Sequence, residues 1–260
     1  MVVDAPLRRI SRQVPSAAAA FAVFTVLAQI CYPLVHGAVR DRLSVLVVLL
    51  FTAASITHAA RRGVRMACAA LLAGAGIGFA ADALGVRTGI PFGRYAYTGT
   101  LGVQVLGVPV VVALAWAMFA WPAALVARRL VRGFPARVVV GAWALASWDL
   151  FLDPQMVAAH HWRWAAPTPH LPGVHDVPLS NYAGWLLTSA LISLVLQVCL
   201  RDSRDVDDRP MFVLYVWTWL SSTLALAAFL DLGAAAAWGG VGMGLVAVPL
   251  LCRLAGIGSG

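Results

Sequence analysis

The chain contains no lysine and no glutamate: its positive charge is all arginine and its negative charge all aspartate. Without glutamate, side-chain acid–base chemistry must rest on Asp, His or Tyr. Charge of either sign is scarce, at 12% of residues, against about 25% in a typical soluble domain. With 61% hydrophobic residues and a mean hydropathy of +0.84, that scarcity excludes an ordinary soluble globular protein. Cysteine is sparse too. Cys31, Cys68, Cys199 and Cys252 stand far apart, in or beside apolar runs, with no CxxC or Cys/His spacing. They read as packing residues rather than metal ligands. His160, His161, His170 and His175 share one loop, but their spacing fits no familiar ligand pattern, so no metal is expected.

What is present is apolar length. Runs fall at roughly 16–36, 43–60, 64–84, 103–131, 135–153, 181–200, 211–231 and 234–254. A helical crossing needs roughly 20 residues, so 260 residues allow about eight crossings and leave no room for a separate soluble domain. The expected fold is an all-α, polytopic integral membrane bundle. It forms one domain over 1–260, with 1–15 as a cytoplasmic tail. The fourth run is long, and a tilt or a kink near Pro109 or Pro122 is expected. With eight crossings and the N-terminus inside, fourteen of the nineteen arginines lie on the cytoplasmic side. Arg40, Arg42, Arg87, Arg94 and Arg163 lie on the other. The positive-inside rule expects this bias, which gives an N-in, C-in protein of the cell inner (cytoplasmic) membrane. Topology thus accounts for the net charge of +8, and nucleic acid is not an expected partner.

Gly74-Ala-Gly76-Ile-Gly78 looks like part of a nucleotide loop but sits inside an apolar helix with no preceding strand. Small residues four apart, here Gly74 with Gly78 and Gly240 with Gly244, let helices approach closely. Helix packing is therefore the expected role.

An ionisable side chain in hydrocarbon costs roughly 2.5–3.5 kcal/mol on insertion scales, so each one needs a reason. Asp82, Asp149, Asp153, Asn181 and Asp231 all fall toward the outer ends of their helices, and Asn181 is the only asparagine. A shared polar pocket on that side is expected. In Trp148-Asp149-Leu-Phe-Leu-Asp153-Pro154, the two aspartates are four apart and share a helix face, with Pro154 helping to end the helix. Two carboxylates so close in a poorly solvated site do not both ionise easily, which leaves a neutral carboxylic acid able to protonate a substrate. Helix capping with an arginine partner is the plainer alternative. Thr88-Gly-Ile-Pro-Phe-Gly-Arg94-Tyr95-Ala-Tyr97-Thr98 forms a turn-rich segment on the same side. There Arg94 could pair with Asp82, Asp149 or Asp153, and Tyr95 and Tyr97 could donate hydrogen bonds or join an interfacial aromatic belt. Trp162 and Trp164 could likewise lie at the interface or roof a pocket.

Three stretches resemble the membrane carotenoid hydratases of the bisanhydrobacterioruberin hydratase type, generally described as carotenoid biosynthesis proteins. They are TGIPFGRYAYT with the following LGVPVVVALAW, then WDLFLDPQM with HWRW, then VPLSNYAGW. Together they span roughly residues 78–190. The resemblance implies addition of water to a terminal double bond of an acyclic carotenoid, giving a tertiary alcohol without a redox cofactor. The chain departs from the family pattern at Ala96 and Asp176, and at Asp82, where glutamate is common. The residues suit such chemistry. The Asp149/Asp153 pair could supply the proton, and Tyr95, Tyr97, Trp148, Trp162 and Trp185 could supply aromatic faces or contacts for a cation. Asn181, Asp82 or the ionised partner of the pair could orient water, and Arg94 is a further candidate contact. The expected partners are the bilayer, a carotenoid dissolved in it and other enzymes of that pathway; no cofactor is expected. A cyclase or isomerase would use the same protonation. A carotenoid-binding scaffold or a small-solute transporter would use the polar cluster only for binding.

Overall fold

A computed structural model gives the architecture of residues 16–256; the tail arginines Arg8, Arg9 and Arg12 lie outside the described residues. Ten α-helices are described: α1 (Ala17–Cys31), α2 (Gly37–Ala60), α3 (Val64–Leu71), α4 (Ile77–Thr88), α5 (Val110–Leu130), α6 (Phe134–Ala146), α7 (Asp149–Ala158), α8 (Leu179–Cys199), α9 (Arg209–Ala228) and α10 (Gly233–Leu254). A π-helical turn, Leu72–Gly76, joins α3 to α4 without a break. Seven helical stretches are long and apolar enough to cross a bilayer. The chain is an all-α, multi-pass membrane protein. Large apolar side chains such as Phe24, Leu72, Leu187, Leu224 and Leu245 stand exposed on the outer helix faces, as expected where the surrounding solvent is lipid. At the centre is α5, buried around most of its circumference and packed against α2, α6, α8, α9 and α10.

The glycine pattern works as a packing device. A Cβ added at Gly74 would lie 2.4 Å from Ala117 Cα, and one at Gly78 would lie 2.2 Å from Trp116 Cγ. Only glycine lets the third crossing lie this close to α5. Gly240 and Gly244 likewise face Thr223 and Trp219 on α9.

The boundaries expected from hydropathy need two corrections. The fourth run begins late. Residues 103–109 form a hairpin of β2 (Gln104–Val105) and β3 (Val108–Pro109), and Pro109 caps α5 while Pro122 lies within it. The fifth run is split at Ser147–Trp148, so the eighth crossing is composite, α6 followed by α7. A 13-residue α6 reaches only about 20 Å at 1.5 Å per residue, short of the roughly 30 Å core. Pro154 does not end the helix: it sits inside α7, which runs on to Ala158. The proline is the sixth residue of α7, past its first turn, and the helix runs on through it.

Two loops form a lid over one end of the bundle. Strand β1 (Tyr95–Tyr97), after α4, pairs antiparallel with β4 (Trp162–Trp164), after α7, with Tyr95 opposite Trp164 and Tyr97 opposite Trp162. A second hairpin, β5 (His170–Leu171) with β6 (Val174–Pro178), leads directly into α8.

Candidate active site

Side chains alternate across a strand. In the β1–β4 pair this turns Tyr95, Tyr97, Trp162 and Trp164 inward and Ala96 and Arg163 outward. Arg94 follows the outward set. It is exposed and forms no ion pair with Asp82, Asp149 or Asp153, so the expected pairing is not made. The inward aromatics meet Asp82, buried one and a half turns from the end of α4. Its Oδ1 accepts hydrogen bonds from the Tyr95 hydroxyl at 2.7 Å and the Tyr97 hydroxyl at 3.2 Å. Its Oδ2 accepts from Trp116 Nε1 at 2.9 Å. Burial first, and then the Asp82 charge, pushes both tyrosine hydroxyls well above their usual range, so they stay protonated and donating at any working pH.

The second carboxyl group is a pair. Asp149 opens α7 and Asp153 lies one turn on, both buried. Both reach Asn181, the third residue of α8. Its Nδ2 donates to Asp149 Oδ2 at 2.8 Å and also to Asp153 Oδ2. Asp153 Oδ1 accepts from Trp162 Nε1 at 2.9 Å, whereas Asp149 Oδ1 has no partner. One amide nitrogen of Asn181 thus bridges the two carboxyls.

These groups border one cavity, with about 650 Å3 of empty space that includes its open mouth. Asp82, Asp153 and Asn181 are in its wall; Asp149 stands behind Asp153. Apart from Ser44 the rest is apolar, part aliphatic and part aromatic, the rings being Phe92, Tyr95, Tyr97, Trp116, Trp162, Trp164 and Trp185. Trp116 and Trp185 stack with ring centroids 3.8 Å apart. Trp148 meets Trp185 edge-on at 5.9 Å but faces a neighbouring cavity. Asp231 is exposed and has no place in the cluster.

Sequence reasoning missed Trp116. Its signal was a tryptophan at the end of LGVPVVVALAW, eight residues or so beyond the turn, with nothing local to link it to Asp82. The lid is fastened by buried His161, whose Nδ1 lies 2.7 Å from Thr100 Oγ1 and whose Nε2 lies 3.6 Å from Asp41. Burial holds this imidazole below its ordinary value, with Asp41 acting the other way. Among the described residues, no three His, Cys, Asp or Glu side chains are grouped as metal ligands would be.

The sequence model of the family described as "Carotenoid biosynthesis protein" matches residues 43–251. The chain belongs to that family. Every wall residue of the cavity falls within the matched segment of this carotenoid biosynthesis protein. The chain is also similar to the bisanhydrobacterioruberin hydratase of Haloarcula japonica, 32% identical over 152 residues. That stretch covers 51% of this chain and 49% of the relative, so the chain spans about half the length of the curated protein it matches. No solved structure matches it significantly.

Proposed function

We propose that this protein adds water to the terminal double bond of an acyclic carotenoid. The observation that carries the reading is Asp153. It stands in the wall of an aromatic, otherwise apolar cavity, with a second carboxyl at its back and a separate, fully hydrogen-bonded one, Asp82, in the same wall. The Asp149–Asp153 pair shares a proton and acts as one acid; Asp153 is the member placed to deliver it. The proton goes to the less substituted alkene carbon, leaving a tertiary cation. Aromatic faces tolerate that cation. Asp82, with three donors on its two oxygens, is arranged as a carboxylate and adds electrostatic stabilisation. Water then forms the C–O bond and returns one proton to the pair, so no redox cofactor is consumed. Asn181 keeps the two carboxyls in register. The substrate arrives through the bilayer, and the resemblance of the chain to a hydratase supports water as the second reactant. On this reading the protein works in the cytoplasmic membrane beside other enzymes of the same pathway.

The test is a mass-resolved pigment profile from a lycopene-accumulating host expressing the protein or its Asp153→Asn variant. Pigments heavier by one or two waters, lost in the variant, are expected. New pigments of unchanged mass would mean cyclisation or isomerisation instead. No new pigment from lycopene or from elongated acyclic carotenoids, with the protein correctly inserted, would leave a binding scaffold.

A further inference from the structure

Beside the candidate site lies a second cavity, with about 810 Å3 of empty space that includes its open mouth, bounded by α1, α2, α5, α7 and α9. The two cavities share Ser44, Val48, Ala115, Leu152 and Met156 as a common partition, of which Ser44 is the polar member. Their chemistry differs. The first carries the carboxyls and most of the aromatics. The second has no charged side chain, yet collects Gln29, Tyr32, Gln155, Thr218, Ser221 and Ser222. So many amides and hydroxyls facing one space inside an apolar bundle need partners, because lipid offers none.

The protein does not satisfy them all. Gln29 Oε1 and the Tyr32 hydroxyl are buried without a hydrogen-bond partner. The Tyr32 hydroxyl lies toward Gln155 and Ser44 but meets neither at hydrogen-bonding geometry. Buried groups of this kind are usually satisfied by internal water, provided the space is polar and roomy enough for it. A polyene has nothing to offer them. One turn of α7 forms the divide: Asp153 is in the wall of the first cavity, and Gln155 in that of the second.

We propose that this second cavity is a water-binding chamber that supplies the reaction's nucleophile, across the partition at Ser44. The inference rests on the hydratase reading above. Its logic is separation. Water standing beside Asp153 would take the proton meant for the alkene, so the acid needs a dry wall, while the cation, once formed, needs one water within reach. In the step itself the water oxygen bonds to the tertiary carbon, and the proton it sheds returns to the Asp149–Asp153 pair.

The experiment compares wild type with Ser44→Val, Gln155→Leu and the conservative Ser44→Thr, each in membranes supplied with an acyclic carotenoid in D2O. Two products are read by mass. Alcohol reports capture of the cation; deuterium in recovered or isomerised alkene reports that the cation formed and lost a proton. In Ser44→Val and Gln155→Leu the ratio of alcohol to exchanged alkene should fall about tenfold, the scale set by one lost buried polar contact. In Ser44→Thr the ratio should hold. Wild-type hydration with an unchanged ratio in both apolar variants, or loss of alcohol and exchange together in both, would overturn the chamber and leave the hydratase reading standing. A wild type that forms neither alcohol nor exchanged alkene would overturn both.

Discussion

Asp82 receives three donated hydrogen bonds, whereas Asp149 keeps one oxygen with none. Substitution should therefore separate their roles. Asp153→Asn removes the proton donor, and a general acid contributes about 10²–10⁴-fold, so alcohol yield per inserted protein should fall by about that factor. Asp149→Asn should cost less, because the donor remains in the cavity wall. Asp82→Asn sets an amide NH2 either against the two phenols or against the indole; an unsatisfied buried donor costs about 1–3 kcal/mol, read as a lower melting temperature in detergent as well as lower yield. Most of these residues could be found in the sequence, because a carboxylate or the lone asparagine in an apolar run needs a reason to be there. Trp116 could not: an indole in an apolar helix is commonplace, and only the approach of α4 makes it a ligand of Asp82. Arg94 was misleading for a local reason. Three residues of strand decide which side chains of GRYAY turn inward, and a segment rich in turn residues does not announce so short a strand.

At the scale of elements, the approach of α4 to α5 depends on Gly78. Gly78→Leu places its Cβ 2.2 Å from Trp116 Cγ. Overpacking of this kind costs typically about 1–3 kcal/mol, and here it also displaces the indole from Asp82, so both melting temperature and alcohol yield should drop. The lid has its own sensitivity. His161 is held below its ordinary value by burial, so the folded lid favours the neutral ring. The stability it contributes is present above the unfolded value of about 6.5 and is lost as pH falls below it toward the lower folded value. Fluorescence of Trp162 and Trp164, in a variant with the other tryptophans replaced, should show the lid loosening on acidification below about pH 6.5. Long helices were legible because a crossing must be apolar for its full length. The 103–109 hairpin was not, since a valine-rich run looks the same in strand and helix. Nor was the break at Ser147–Trp148, which no glycine or proline marks.

For the whole molecule, the arginine distribution predicts an orientation that labelling can check. In a background with all four cysteines replaced, Arg163→Cys and Arg204→Cys occupy exposed loop positions. A membrane-impermeant maleimide should reach them from opposite sides, Arg163→Cys from outside the cell. The groups of the proposed site sit toward one end of the bundle, in the lid or, at 1.5 Å per residue, within roughly 9 Å of the end of a crossing, with Asp149 deeper at roughly 14 Å.

That one-sidedness has a consequence for traffic in the membrane. An extended carotenoid is about as long as the bilayer is thick, so under the proposed reaction a newly made hydroxyl settles among the headgroups of one leaflet while the untreated end points at the other. To offer that second end, the molecule must leave, turn over and return with its fresh hydroxyl dragged through the hydrocarbon. Symmetric substrates should therefore accumulate as half-finished, one-ended alcohols, released by slow tumbling rather than slow chemistry.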